Sequence, residues 1–306
     1  MINQEQLQRI HSLYQEGRFQ CNFYRKKLAD ARFKNYEDFS RIPFSRKEEV
    51  RESSVYDRTA TPTENIFGIY SSSGTTGEKK YYVYNRHDKK IQEECARIFM
   101  NMAGIDEKDL GGILSPIGTS VMGHCMTWQF SAVGAGVVHC PEPSPENIVK
   151  TLDKFPVTAI ATLPQVAASV IENPEHAKAA GNSTVKSLLL GGDHLSETVR
   201  KQLENTWEAD VYNLFGMSEI FGPIAGECAM KNGLHFPTRY LAIEILDPKT
   251  RKSVTLGETG VAVYTTLWDK GFPLLRYWSD DLISIDDTPC PCGSPMPRLF
   301  FRGRTE

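Results

Sequence analysis

Ser71-Ser72-Ser73-Gly74-Thr75-Thr76-Gly77-Glu78-Lys79-Lys80 follows the apolar run Ile66-Phe67-Gly68-Ile69-Tyr70, which reads as a buried strand. Hydroxyls, glycines and lysines crowd into that short segment. Glycines let backbone N–H groups turn toward a ligand, and hydroxyls add further donors. The lysines bring positive charge, so the combination suits a polyphosphate held in a loop. The spacing is not Gly-x-x-x-x-Gly-Lys-Ser/Thr, because Gly74 and Gly77 stand too close and no Ser or Thr follows Lys80.

Outward from this stretch the chain alternates. Tyr81-Tyr82-Val83-Tyr84 reads as a strand, and residues 87–103 as a helix that turns Ile91, Cys95, Ile98, Phe99 and Met102 inward. Strands are expected over 111–115, 136–140, 157–161, 187–190 and 211–214, with helices over 121–133, 164–172 and 195–207 between them. Ser144 and Pro145 open a further helix as N-cap and first helical residue. Such alternation predicts an α/β fold with a mostly parallel sheet covered by helices. Past residue 233 short β runs dominate, at 240–246, 260–266, 282–285 and 298–301. They predict a small β-rich subdomain. Before the first strand, residues 3–16 and 18–32 carry apolar side chains at helical spacing.

Totals narrow the class. The 306 residues carry a net charge of −3, which gives nucleic acid no electrostatic footprint. No apolar run reaches bilayer length, and Met1-Ile2-Asn3-Gln4-Glu5 lacks the blocks of a signal peptide, so a cytoplasmic location and no membrane partner are expected. In that compartment seven cysteines are expected as thiols or metal ligands. Cys228 precedes His235 by a short loop, and Cys290 and Cys292 share a Cys-Pro-Cys turn. Three thiols and an imidazole are the donor set of a closed structural Zn²⁺ site, provided the two pairs meet in space. Cys21, Cys95, Cys125 and Cys140 have no paired spacing and are expected in the core.

Four further segments fall in register with the first. Leu189-Leu190-Gly191-Gly192-Asp193 runs a strand into a diglycine and a carboxylate. Tyr212-Asn213-Leu214-Phe215-Gly216-Met217-Ser218-Glu219 offers a flat aromatic face, an amide, a hydroxyl and a carboxylate. Pro273-Leu274-Leu275-Arg276-Tyr277-Trp278-Ser279-Asp280-Asp281 and the closing Arg302-Gly303-Arg304-Thr305-Glu306 complete the set. Together they resemble the adenylate-forming enzymes, in particular the phenylacetate-CoA ligase group. Asn22-Phe23-Tyr24-Arg25 and Ile42-Pro43-Phe44-Ser45-Arg46-Lys47 carry that likeness into the N-terminal part.

The resemblance implies the fold of the family's large domain and ATP, Mg²⁺ and a thiol, of CoA or a carrier protein, as cofactors. Ser72, Ser73, Gly74, Thr75, Thr76 and Gly77 would hold phosphates, with Lys80 beside them. Gly192 and Asp193 would border the adenine, and Asn213, Leu214, Phe215, Gly216 and Met217 would line and stack on it. Ser218 would bond a phosphate or the acid, Glu219 would hold Mg²⁺, Asp281 would take the ribose hydroxyls, and Arg304 would sit near ribose and phosphates. Arg276 reads as a structural or phosphate-side cation, and Trp278 departs from the family's usual Arg. The substrate implied is a small carboxylic acid, an aryl acid by the group's habit. His124, on the helix that follows Ser115-Pro116-Ile117-Gly118, is the candidate contact.

The organisation expected is a helical segment over 1–60, a nucleotide-binding core over 61–232, a β-rich part over 233–301 and a hinge over 302–306. The family's mobile C-terminal domain would then be absent or supplied as a separate chain. Two other classes stay open: an adenylyl transferase acting on a deazaflavin coenzyme, and a non-catalytic nucleotide-binding subunit.

Overall fold

The structure, a computed structural model, describes residues 2–25, 27–29, 31, 35–72, 79–140 and 142–305. In chain order the elements are α1 (Gln4–Gln15), α2 (Asn22–Arg25), α3 (Tyr36–Ser40), β1 (Ser45–Arg46), α4 (Lys47–Glu52), α5 (Val55–Arg58), β2 (Ile66–Ser71), β3 (Tyr81–Asn85) and α6 (Arg86–Met102). Then follow β4 (Leu110–Ile113), α7 (Val121–Ala132), β5 (Gly136–His139), α8 (Pro145–Lys154), β6 (Ala159–Thr162), α9 (Pro164–Ile171), α10 (Pro174–Gly181), β7 (Ser187–Gly191), α11 (Glu197–Trp207) and β8 (Asp210–Met217). The chain ends in β9 (Gly222–Glu227), β10 (Leu234–His235), β11 (Leu241–Leu246), β12 (Gly260–Thr266), β13 (Tyr277–Asp286) and β14 (Arg298–Arg304). No helix among the described residues is long and apolar enough to cross a membrane.

Two compact units divide the chain, one of residues 92–235 and the other of residues 1–91 with 236–306. In the unit of residues 92–235 the sheet order is β10-β9-β8-β7-β6-β4-β5. Strands β4 to β8 run parallel, and β9 and β10 turn antiparallel. A β-strand followed by a helix and a parallel neighbour buries both sheet faces, which is why β6 and β7 are continuous apolar runs. One face packs Leu188, Leu190, Leu203, Trp207 and Val211 with Ile148, Ala167 and Val170 from the flanking helices. On the sheet the glycines mark where helices press closest. A Cβ at Gly111 would sit 2.6 Å from the Phe130 ring of α7, and one at Gly226 would sit 2.8 Å from Phe99 of α6.

In the other unit β11-β12-β13-β14 form an antiparallel run, β1 adds a parallel edge to β13, and β2 and β3 form a separate hairpin sheet. The resemblance-bearing N-terminal segments find their place here. Ser45 and Arg46 pair with Tyr277 and Trp278, and the Tyr24 hydroxyl accepts from the Leu275 N–H at 3.0 Å. Trp278 packs on Phe44 with ring centroids 5.0 Å apart and carries Arg46 over its face at 4.2 Å.

Three expectations need correction. The strand 66–70 forms as β2 but is only half-buried, with Ile69 46% exposed, because a two-stranded hairpin leaves one face uncovered. Within 18–32 the described residues form one helical turn, α2, since the aromatics there serve different neighbours and not one stripe. Helix α10 was not expected, although its signals are plain: Asn173 accepts from Glu175 and His176, and Pro174 stands at the first helical position. Elsewhere Ser144 caps α8 as expected, accepting from the Asn147 N–H at 3.3 Å.

Candidate nucleotide and acid site

Parallel sheets present ligands with the backbone that leaves the C-terminal ends of their strands. Here β7 and β8 are neighbours in register, Leu190 facing Asn213 and Gly191 facing Leu214. The two glycine-bearing motifs therefore emerge side by side. Gly192 takes φ +84, a conformation that favours glycine, and turns the chain out so that Asp193 is exposed. The Asp193 carboxylate accepts from the His194 N–H at 2.7 Å. Met122, in the first turn of α7, closes on this loop, since its methyl lies 2.4 Å from where a Gly192 Cβ would be.

The Asn213–Met217 segment continues β8 into a tight turn and back through β9. Ile220 and Phe221 N–H groups both donate to the Met217 carbonyl, at 3.1 and 3.2 Å. Ser218 and Glu219 occupy that turn and are partly exposed. Gly216 is fixed by close approach, for a Cβ there would meet the Gly222 carbonyl oxygen at 2.2 Å. Phe221 adopts φ +88 while buried against Trp128, ring centroids 5.4 Å apart. A non-glycine residue held there stores roughly 1–3 kcal/mol of strain. Packing on α7 holds the strained turn in one shape.

Behind β8 lies an ion pair that is not apparent in the sequence. Arg200 of α11 donates to both Glu227 oxygens, at 2.9 and 2.7 Å, and to the Val211 carbonyl at 2.7 Å. The Asn213 N–H donates to Glu227 Oε2 at 2.7 Å. Both side chains are 6% exposed. Burial raises the Glu227 carboxyl above its ordinary pKa even against the Arg200 charge. The pair clamps the strand that carries the Asn213–Glu219 motif.

His124 is on α7 as expected. Its Nε2 lies 2.9 Å from the Gly118 carbonyl oxygen, and its ring stacks on Trp128 at 5.7 Å. Gly123 lets this helix close on the preceding loop, where a Cβ would sit 2.8 Å from the Pro116 oxygen.

In the unit of residues 1–91 and 236–306, the phosphate-loop residues Ser73, Gly74, Thr75, Thr76 and Gly77 lie outside the described residues. Its ends are described: the Ser72 N–H donates to the Lys80 carbonyl at 2.9 Å, closing the β2–β3 hairpin. Asp281 and Arg304 face each other across β13 and β14, with Arg304 Nε 3.1 Å from Asp281 Oδ1. Asp281 is buried, whereas the Arg304 side chain is 69% exposed. Burial first, and then the Asp281 charge, pushes the nearby Tyr264 hydroxyl well above its ordinary pKa, so it stays protonated. Arg276 proves structural. It pairs with buried Glu244 at 3.0 Å through two nitrogens and donates to the carbonyls of Ser40 and Ile42.

Cys21, Cys95, Cys125 and Cys140 are buried as expected. Of the candidate metal ligands, the Cys228 sulfur and a His235 ring nitrogen lie within 4.8 Å of each other at the β9–β10 hairpin, and the Cys290 and Cys292 sulfurs approach within the same limit. His235 is fully buried. The next residue, Phe236, donates its N–H to the Pro297 carbonyl at 3.3 Å, close in the chain to the Cys-Pro-Cys turn.

The sequence profile described as AMP-binding enzyme matches residues 24–265. A phenylacetate-coenzyme A ligase of Thermus thermophilus is 28% identical over 314 aligned positions, covering all of this chain and 70% of that protein. The Escherichia coli phenylacetate-coenzyme A ligase is 25% identical, covering 83% of this chain and 59% of its own length. The chain thus spans 59–70% of these relatives. Among solved structures, a 2-hydroxyisobutyryl-CoA ligase in complex with its acyl-AMP and CoA superposes with a TM-score of 0.85 at 24% identity, over 97% of this chain and 74% of that one. An anthranilate CoA ligase superposes with a TM-score of 0.60 at 18% identity, over 80% and 48%. The fold is that of the adenylate-forming enzymes, and by a profile that covers most of its length this chain belongs to the AMP-binding enzyme family.

Proposed function

We propose that this chain activates a carboxylic acid with ATP and passes the acyl group to a thiol, of CoA or of a carrier protein. The observation that carries the reading is the register of β7 and β8, which delivers Gly192-Asp193 and the Asn213–Glu219 segment as neighbours at one end of a parallel sheet. The phenylacetate-CoA ligases similar to this chain favour an aryl acid.

A carboxylate oxygen of the acid attacks the α-phosphorus of ATP. The new acyl–oxygen–phosphorus bond forms as the bond to pyrophosphate breaks. In the second half a thiolate attacks the acyl carbon and AMP leaves with the shared oxygen. The first half is mostly positioning and charge stabilisation. Phe215 offers the adenine a flat face, and the Asn213 amide can read its amino group. Gly192 and Asp193 border that ring, Asp281 accepts from the ribose hydroxyls, and Arg304 supplies charge near it. Ser72 and Lys80 flank the loop of residues 73–77, whose hydroxyls and N–H groups take the phosphates. Ser218 bonds the acid or a phosphate, and His124 stands over the acid with Trp128. The Glu219 carboxylate is a hard oxygen donor at a partly exposed turn, which fits Mg²⁺. The ion would neutralise phosphate charge.

Cys228, His235, Cys290 and Cys292 would hold one Zn²⁺. Thiol and imidazole are the donors that zinc selects, and a closed set of four leaves no open position for chemistry. The role is structural rather than catalytic. About one zinc per purified chain, lost with structure on chelation, is the expected result.

ATP–pyrophosphate exchange over a panel of aryl and short-chain acids tests the activity. Exchange that depends on one acid and is lost in Glu219→Ala is expected. ATP binding with no exchange for any acid would reduce the chain to a nucleotide-binding subunit.

A further inference from the structure

Two glutamines in the unit of residues 92–235 are buried where the adenylation reading gives them no work. Gln92 is 4% and Gln129 is 3% exposed. Both amide atoms of Gln92 and the carbonyl Oε1 of Gln129 are sealed from solvent and make no hydrogen bond among the described residues. Buried polar atoms in native proteins nearly always have partners, so three unmatched ones in one region call for a cause.

Their positions can be fixed from contacts. Gly222 ends the Ser218–Phe221 turn, and a Cβ built on it would lie 3.2 Å from the Cys125 sulfur and 3.6 Å from Gln92 Cγ. Gln92 of α6 and Cys125 of α7 therefore meet at the foot of that turn. Gln129 lies one helical turn beyond Cys125 on the same buried line of α7. Further along, Arg97 of α6 donates to the Ala132 carbonyl of α7 at 3.2 Å. The two helices thus run side by side in the same direction, and Gln92 and Gln129 flank one seam. This seam lies next to Trp128 and Phe221 and beside the turn that carries Glu219.

The unmatched atoms are one donor nitrogen and two acceptor oxygens. A hydroxyl is the smallest group that can both accept from Gln92 Nε2 and donate to an amide oxygen. A plain hydrocarbon acid would leave all three atoms unpaired. We propose that Gln92 and Gln129 form a polar subsite of the acyl pocket, and that the acid taken by this chain carries a hydroxyl in addition to its carboxylate. The proposal rests on the acid-activation reading above and narrows its substrate class.

The test is thermal-shift titration with matched acids: phenylacetate and benzoate against their ring-hydroxylated isomers. Wild type, Gln92→Leu and Gln129→Leu are compared. Leucine fills similar volume without polar atoms, and circular dichroism of each variant checks its fold. At least one hydroxy acid is expected to half-saturate the wild type at a concentration roughly 10- to 100-fold below its parent, the range that an unpaired buried group costs. That preference is expected to vanish in Gln92→Leu and to shrink in Gln129→Leu. A wild type that responds alike to parent and hydroxy acids, or to none of them, overturns the proposal and leaves the glutamines to bound water. A preference retained in both variants overturns it too. Pyrophosphate exchange on the same acids separates the two readings. Hydroxy-acid preference in binding without exchange sinks acid activation and keeps the subsite. Exchange that favours the parent acids sinks the subsite and keeps acid activation.

Discussion

The parallel strands β7 and β8 and the antiparallel pair β13 and β14 each carry candidate site residues, by different means. On β7 and β8 the useful groups stand where the chain leaves the sheet, and backbone shape is the working part. Gly192 turns at φ +84, and Gly216 lies against the Gly222 carbonyl. On β13 and β14 the proposed group is a side chain within a strand, Asp281, held by its cross-strand partner Arg304. Each region also has its own buried guanidinium pair, Arg200 with Glu227 and Arg276 with Glu244. The difference is what each pair holds. Glu227 takes the N–H of Asn213 inside a proposed binding segment, whereas Arg276 ties down the Ser40 and Ile42 carbonyls.

The largest expected effects come from breaking those pairs. Glu227→Ala and Glu244→Ala each strand a buried guanidinium, and each should cost about 3–5 kcal/mol in denaturant unfolding. The comparison predicts a split in function. ATP affinity, measured on protein kept folded at low temperature, should fall at least about tenfold more in Glu227→Ala than in Glu244→Ala, given the ~1.4 kcal/mol that a lost charge-assisted bond to Asn213 represents. Equal losses would mean that Glu227 acts on stability alone.

A pair of glycines sharpens the same contrast. Gly216→Ala drives a Cβ into backbone at 2.2 Å, so the β8–β9 hairpin must move, and a loss of roughly 1–3 kcal/mol or more with collapse of pyrophosphate exchange is expected. Gly303 sits at φ +123 with nothing within 4 Å of its would-be Cβ. Gly303→Ala is strained only in its own backbone, and about 1 kcal/mol in thermal unfolding is expected. Similar costs at the two positions would mean that steric approach is not what shapes the Asn213–Glu219 segment.

Much of the fold is legible in the sequence because its signals are local. The strand-helix alternation, the Ser144-Pro145 start and the motif at 212–219 depend on neighbours along the chain, and the elements form within a few residues of expectation. Strand β13 is expected only over 282–285 but spans Tyr277–Asp286. Its polar residues hide it: Ser279 and Asp281 interrupt the apolar pattern, yet Ser279 is buried with its hydroxyl on the Ala262 carbonyl at 2.8 Å. The Arg200–Glu227 clamp is illegible for another reason. An arginine on an amphipathic helix and a glutamate beside a cysteine look like solvated charges until the sheet brings them together. Gln92 and Gln129 fall in the same class, since a glutamine on a helix carries no signal that it faces inward.

The smallest expected effect tests the antiparallel side of the comparison. Arg304 is mostly exposed, and its bond to Asp281 closes the β13–β14 ladder beside the last described residues. An exposed arginine paired with a carboxylate contributes little to folding, so Arg304→Ala should shift stability by only about 0.2–1 kcal/mol. The same change removes a cation from the group proposed to hold the ribose. If the side chain is the working part on these strands, the KM for ATP should rise severalfold while the melting temperature barely moves, and added salt should narrow the gap between variant and wild type by screening the charge that remains. A melting temperature that falls with an unchanged KM would make Arg304 a structural closure of the ladder and leave Asp281 to serve the nucleotide alone.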